Sequence, residues 1–354
     1  MLATALAATA LLSGLLTACG SDDSASSSPS GGAGLDKVAL QLNWIQNSTW
    51  AGSYLAQEKG YYKQEGLDVE LRTGGPNVDF MAALSAGKAL VAFAGFTEPA
   101  TLNQQGGDYR VVGTMYQKSP LAFVSKTGSG LTTPKALEGH KVGISATSMS
   151  VWKQFSKAAG IDAAKVEVVP IMTGPEALAG GDVDAYLGFS TEAPGQLQAL
   201  GLQAETFLLQ DFGYGYYVDV YAVRQQDLDD PARRSEIKRL LKADLEGQLA
   251  MIGDPAGAAT LTVGRYGKTL GLKQDSELSI AKSAAPLFYS PTSEAKGIGY
   301  MAGDEMTLAM KTLNTILGTQ MPLDGKGYVD MSLLDEIYKE KPGFGKLPAL
   351  SSLK

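Results

Sequence analysis

The order of short motifs between Val38 and Glu98 recurs about a hundred residues later, between Lys141 and Glu192. In the first pass Val38, Leu40 and Leu42 alternate with Ala39 and Gln41, which predicts a strand. Asn47, Ser48 and Thr49 are helix-capping types, so a helix is expected from about Trp50, stopping at Gly60. Leu67, Val69 and Leu71 alternate again as a second strand. Thr73-Gly74-Gly75-Pro76 then opens a helix through Val78, Met81 and Leu84 to Gly87. An apolar run, Leu90 to Ala94, leads to the loop Gly95-Phe96-Thr97-Glu98. In the second pass Lys141 to Ile144 reads as a strand, Ser145 to Ser148 as a polar cap and Met149 to Ala159 as a helix ended by Gly160. Val166 to Pro170 is a strand, and Thr173-Gly174-Pro175 opens a helix ending at Gly180-Gly181. Ala185 to Leu187 precedes Gly188-Phe189-Ser190-Thr191-Glu192.

Such a doubled pattern demands two α/β lobes. Each strand–helix–strand unit implies parallel pairing through a right-handed crossover, and parallel sheets bind ligands at the carboxyl ends of their strands. The expected fold class is therefore α/β, with two lobes, parallel-dominated sheets and a central cleft. Tyr109 to Met115 reads as a buried strand and Gln117 to Pro120 as an exit to the second lobe. Leu202 to Leu209 reads as an edge strand, and Tyr214 to Tyr221 leads back. This divides the chain into lobe 1 (36–118 and 220–350) and lobe 2 (119–219), with two crossings that could act as a hinge. From Pro231 the pattern turns helical: Ile237, Leu240, Leu241, Leu245 and Leu249 have the spacing of one buried face. Further helices are expected at 255–266, 276–286, 304–317 and 333–338, coating lobe 1.

Residues 1–18 read as a lipoprotein signal peptide and 19–35, mostly Ser, Gly, Ala and Asp, as a flexible tether. Leu16-Thr17-Ala18-Cys19 resembles a bacterial lipobox, which makes Cys19 the lipidation site and anchors the protein on the extracytoplasmic face of the cell membrane. No Lys or Arg precedes Lys37, a departure from the positive start of secretion signals. Cys19 is the only cysteine, so an internal disulfide or a CxxC site is excluded. With a net charge of −7 and no basic run, nucleic acid is not an expected partner.

Catalytic signatures are absent. The single histidine, His140, sits in a turn ahead of a strand, and neither a Gly-x-Ser-x-Gly elbow nor a dinucleotide or phosphate loop is present. One histidine and one cysteine make a zinc site an unfavourable reading, and no cofactor is expected. The loops at the strand ends are better equipped for binding. Lobe 1 offers Trp44, Asn47, Trp50, Thr73, Gly74, Phe96, Thr97 and Glu98, and lobe 2 offers Ser145, Thr147, Ser148, Trp152, Thr173, Gly174, Phe189, Thr191 and Glu192. Tyr216 joins them from the return crossing. Aromatic faces with a few hydroxyls and amides suit a small, flat, weakly polar ligand. The plainer alternatives are that Phe96 and Phe189 pack the core and that Glu98 and Glu192 merely favour helix starts.

Leu42-Asn-Trp44-Ile-Gln-Asn47, Ala51-Gly-Ser-Tyr54, Lys59-Gly-Tyr-Tyr62 and Glu65-Gly-Leu-Asp-Val69 together resemble the opening of the NMT1/THI5-like solute-binding proteins. Pro134-Lys-Ala-Leu-Glu-Gly-His-Lys-Val-Gly143, Gly181-Asp-Val-Asp-Ala185 and Glu192-Ala-Pro194 resemble later stretches of that family. The resemblance covers about residues 38 to 225. It implies a two-crossing periplasmic-binding-protein fold feeding an ABC importer, with a membrane permease as partner and a monomeric receptor. Family members bind thiamine-precursor pyrimidines, riboflavin, or small sulfonates and related anions. Gln46 stands for the usual proline and Thr191 for the asparagine before Glu192. Trp50 stands where the pyrimidine-synthase branch has histidine. The leading expectation is thus a lipid-tethered receptor for a planar heterocycle. Its alternatives are an alkanesulfonate or nitrate receptor and, from another class, a pyrimidine-synthase-like enzyme of the same fold.

Overall fold

The computed structural model describes residues 34–349 except Pro76. The signal-peptide and Cys19 readings, and the tether up to residue 33, lie outside the described residues.

In the first half of the chain, β1 (Asp36–Gln41) leads through a short 3-10 turn, Ser48–Trp50, into α1 (Ala51–Glu58) and α2 (Tyr61–Gln64). The Asn47 side chain caps that turn, accepting from the Thr49 N–H at 3.0 Å. Gly60 takes the left-handed conformation, φ 75°, that ends α1. β2 (Leu67–Arg72) lies parallel to β1, with Val38 opposite Val69. α3 (Phe80–Ser85) starts later than the Thr73-Gly74-Gly75 signal predicts, because Asp79 supplies its cap and accepts from the Ala82 N–H at 2.8 Å. β3 (Val91–Ala94), α4 (Glu98–Gln104) and β4 (Tyr109–Thr114) follow.

The second half of the pattern contains one strand that the motif order does not reveal, β5 (Leu121–Lys126). After it come β6 (Lys141–Ile144), α5 (Met149–Ala158), β7 (Glu167–Pro170), α6 (Gly174–Gly180), β8 (Ala185–Phe189), α7 (Ala193–Ala199) and β9 (Ala204–Leu208). β10 (Val220–Arg224) then returns to the first sheet.

The two sheets have the same plan. Their orders are β2-β1-β3-β10-β4 and β7-β6-β8-β5-β9. In each, three parallel strands are followed by one antiparallel strand and an edge strand. The antiparallel member is in both cases the strand that has just crossed from the other sheet. Both sheets are covered on both faces, which a mostly parallel sheet requires. Along β3, Val91 and Phe93 enter one core while Ala92 and Ala94 enter another. Along β8, Ala185 and Leu187 divide from Tyr186 in the same way.

From Pro231 the chain is helical: α8 (Gln225–Asp229) precedes α9 (Pro231–Gly253), α10 (Pro255–Leu261) and α11 (Gln274–Ala284). α12 (Pro291–Lys296), α13 (Gly303–Leu317) and α14 (Ser332–Glu340) complete it. Ile237, Leu240, Leu241 and Leu245 of α9 are buried with β1 and β3 on one face of the first sheet. Met306, Met310 and Leu313 of α13 cover the other. One member of this coat does more than the coating pattern predicts, since α11 also packs against α7 of the second lobe. A Cβ on Gly195 would stand 3.1 Å from Ser279 there. The two crossings run side by side, with the Met115 N–H donating to the Asp219 carbonyl at 2.9 Å.

Candidate functional site

A cavity of about 500 Å³ lies between the two sheets, at the carboxyl ends of their parallel strands. A smaller hollow of about 300 Å³, beside β1 and β2, is lined by charged residues such as Lys37, Asp68, Lys88 and Arg233. The larger one has the position and apolar walls of a ligand site.

Its first wall is built by the loops after β1, β2 and β3. Trp44 is 45% exposed, and its loop is pinned by Gly74, whose N–H donates to the Trp44 carbonyl at 3.1 Å. A Cβ on Gly74 would fall 2.4 Å from the Leu42 carbonyl oxygen, so only glycine permits this approach. Val78 and Phe80 extend the apolar surface. Thr97 donates through Oγ1 to Glu98 Oε2 at 3.1 Å. The Glu98 carboxylate folds back over Gly95, where a Cβ would stand 2.5 Å from Oε2.

The opposite wall comes from β8 and the start of β5: Phe189, 41% exposed, with Thr191, Glu192, Pro120 and Leu121. Burial pushes the Glu192 carboxyl up, and the nearby charge of Glu277 on α11 adds to it. The floor is formed by the crossings, through Tyr116, Tyr216, Val218 and Asp219. Asp219 accepts from Asn43 Nδ2 at 2.8 Å. Its carboxyl is pushed up to about 6, mainly by burial; the Asn43 hydrogen bond opposes the shift, and Glu98 and Glu192 reinforce it. Tyr216 is pushed up to about 12 by burial and then by Glu98.

Of the residues expected from sequence, the cavity brings together Trp44, Trp50, Thr97, Phe189, Thr191, Glu192 and Tyr216, with Glu98. Trp50 reaches it only at the floor. It is 1% exposed, its ring lies 5.1 Å from that of Phe93, and its Nε1 donates to the Ile45 carbonyl at 3.2 Å. It anchors the loop rather than presenting a free face. Phe96 is wholly buried, because the rings of Tyr217 and Tyr328 close over it at 5.6 and 5.1 Å. Trp152 is buried as well, edge-on to Phe123 at 5.8 Å; three residues before Phe155 on α5, it shares that helix's inward face. Asn47 is spent on its cap, and Gly74 on the Trp44 loop.

Thr73, Ser145, Thr147, Ser148 and Thr173, with Gly174, do not line the cavity either. Ser145 instead donates to Ser148 Oγ at 2.9 Å and lies 3.1 Å from Thr147 Oγ1. These loops follow β6 and β7, the strands of the second sheet furthest from β5, while the cavity is centred on the crossings that β5 and β10 carry. Of the residues that sequence reasoning missed, Tyr116 and Asp219 sit on those crossings, and Asn43, in the loop after β1, reaches across to Asp219. The one available signal was the position of Tyr116 and Asp219 at the lobe boundaries.

A family model described as NMT1/THI5 like matches residues 47–258. The Riboflavin-binding protein RibY of Chloroflexus aurantiacus is 25% identical over 308 residues, covering 83% of this chain and 87% of that protein. A 4-amino-5-hydroxymethyl-2-methylpyrimidine phosphate synthase of Aspergillus parasiticus is 27% identical over 156 residues, covering 43% of this chain and 46% of the synthase. The periplasmic aliphatic sulphonate binding protein SsuA of Escherichia coli shares the fold with a TM-score of 0.59 at 15% identity, covering 80% of this chain and 92% of that one. With more than half of its length matched, the chain belongs to the NMT1/THI5-like family, and its paired sheets are the fold of the periplasmic binding proteins.

Proposed function

We propose that the protein is the solute-binding component of an ABC importer, holding a small planar heterocycle between its lobes, and that it is not an enzyme. The observation that carries this reading is the lining of the cavity. Trp44, Phe189 and Tyr216 offer aromatic faces, and Thr97, Thr191 and the carboxylates offer hydrogen-bonding atoms, with no Lys, Arg or His among them. Stacking on such faces contributes on the order of 1 kcal/mol each. Glu192 could accept from an exocyclic amino group, which a sulfonate or nitrate lacks. The similarity to RibY across most of both chains supports a vitamin-like heterocycle, either a flavin or a thiamine-precursor pyrimidine. The synthase alternative is supported by a likeness over less than half of each chain. Trp50 stands in place of that branch's histidine, and His140 is engaged with Asp184 at 3.2 Å, away from the cavity.

The receptor is proposed to act outside the cytoplasmic membrane, tethered through a lipid on Cys19 and handing its ligand to a permease. No helix among the described residues is long and apolar enough to cross a membrane. Trp44 is the one tryptophan open to the cavity, so intrinsic fluorescence is the natural assay. Riboflavin or 4-amino-5-hydroxymethyl-2-methylpyrimidine should change the signal, and Trp44→Ala and Glu192→Gln should weaken that binding by about tenfold. A response to alkanesulfonates or nitrate alone would reject the heterocycle reading.

A further inference from the structure

The deep end of the cavity constrains the charge of whatever enters it, given that the cavity is the ligand site. Glu98, Glu192 and Asp219 all line it, and no cationic side chain does. Their polar partners are neutral: Asn43 donates to Asp219 at 2.8 Å, and Thr97 to Glu98 at 3.1 Å. A second feature points into the same space. Tyr116, 2% exposed, belongs to the cavity wall, and its hydroxyl has no hydrogen-bond partner. The ring is held edge-on to Phe288 at 5.1 Å. A buried hydroxyl without a partner is costly to keep, and this one lies in the cavity wall beside Asp219 and Glu192.

The backbone of Asp219 is also unusual. At φ 59° it is the one non-glycine residue in the left-handed region among those described. Such conformations persist where the surroundings hold a side chain in a required place. Here the carboxylate is delivered to the floor directly beneath the interlobe gap.

We propose that Glu98, Glu192, Asp219 and the Tyr116 hydroxyl form a subsite for a planar, positively charged N–H donor group of the amidinium or aminopyrimidinium type. Three carboxylates lining one cavity, Asp219 buried and Glu98 and Glu192 half-buried, repel one another. A neutral occupant would strip their water and leave that repulsion unanswered, and an anion would add to it. A flat cation answers both carboxylate charge and lone pairs, while its faces lie against Phe189, Tyr216 or Trp44. The groups that face Asp219 are Glu98, Glu192, Tyr116 and Asn43, with Glu277 behind Glu192 on α11. None supplies a competing positive charge. Protonating this cluster therefore weakens the subsite, and cation affinity falls as the pH drops through about 6.

Calorimetric titration of the purified protein with benzamidine, benzamide and benzoate, three probes of one shape and different charge, tests this. Benzamidine should bind at least about tenfold more tightly than benzamide at pH 7.5, the range of a hydrogen bond to a charged group. Benzoate should give no heat. Asp219→Asn and Glu192→Gln should each erase that preference, so that benzamidine binds no more tightly than benzamide to the same variant. Asn tolerates the left-handed conformation at 219, so the first variant retains the fold; thermal melting of each variant checks this. Tyr116→Phe should weaken benzamidine and raise the melting temperature of the unliganded protein, a pair of effects that a purely structural tyrosine would not give. Equal affinities for benzamidine and benzamide, or a preference that survives both carboxylate substitutions, would overturn the proposal. If riboflavin then still binds, the heterocycle reading stands without the cation subsite. If flexible cations such as spermidine bind as well as benzamidine, with the same dependence on Asp219, the carboxylates attract cations without regard to shape and the planar subsite falls.

Discussion

Gly95-Phe96-Thr97-Glu98 and Gly188-Phe189-Ser190-Thr191-Glu192 carry nearly the same residues to the same end of two sheets with the same plan. Yet Phe96 is wholly buried and Phe189 is 41% exposed. Phe96 lies beyond the end of β3 and turns inward, where Tyr217 and Tyr328 meet it. Tyr328, which also donates to the Phe96 carbonyl at 2.5 Å, belongs to the C-terminal third, which coats the first sheet and meets the second lobe at α7 through α11. Phe189 is still inside β8, paired with Leu121, and no comparable coat reaches it. The helix starts differ in the same direction. The Ser48 N–H is held by Glu277 of α11 at 2.6 Å, while the Ser145–Ser148 hydroxyls bond only to one another. The C-terminal helices thus bury the first lobe's phenylalanine and leave the second lobe's exposed in the cavity wall.

The strongest way to break this comparison is to truncate both phenylalanines. Phe96→Ala should cost about 3–5 kcal/mol, as removal of a fully buried ring does. Phe189→Ala should change stability by less than about 1 kcal/mol while weakening heterocycle binding. Urea unfolding measures the first pair of effects and fluorescence titration the last. Equal destabilisation by the two would show that the loops are not differently packed.

Asp219 allows the crossing to be tested by pH. Its carboxyl titrates higher folded than unfolded, near 6 against 3.8, so the folded state holds the extra proton. The stability this gives is complete below the unfolded value and lost as the pH rises through about 6. Asp219→Asn should therefore stabilise the unliganded protein by about 1–3 kcal/mol at pH 7.5 and have no such benefit near pH 3.5. A pH-independent effect of the substitution in thermal melts would contradict the burial argument.

Glu277→Ala removes the acceptor from the buried Ser48 N–H and should cost about 1–2 kcal/mol. Amide exchange at Ser48 should accelerate, while amides in the 145–148 loop keep their rates. If both loops respond alike, α11 does not discriminate between them. The smallest effect is expected at Ser145→Ala, within about 0.5 kcal/mol, because its partners are solvent-accessible hydroxyls. A larger loss of stability or of ligand affinity would bring that loop back into the site.

Periodicity is a local property, and the features that depend on it were legible in the chain. Val38 to Leu42, Leu67 to Leu71 and the left-handed Gly60 and Gly160 mark out β1, β2 and the ends of α1 and α5. The face of α9 that carries Ile237, Leu240, Leu241 and Leu245 was visible too. The repeated order of these signals sufficed for two α/β lobes and for a cleft at their strand ends. Which side chains open into that cleft is a non-local matter. Trp50, Phe96 and Trp152 have the composition and position of cleft residues, but each meets rings brought from elsewhere in the chain: Phe93, Tyr328 and Phe123. Tyr116 and Asp219 look like linker residues until β5 and β10 insert antiparallel into opposite sheets and carry both crossings under the cavity. Sequence alone determined the parallel strands, the helices between them and their doubling, but not β5 or β10, because hydrophobic spacing and capping act over a few residues. Only the tertiary structure decided the site, because exposure depends on what the C-terminal coat covers and what the crossings bring beneath the gap.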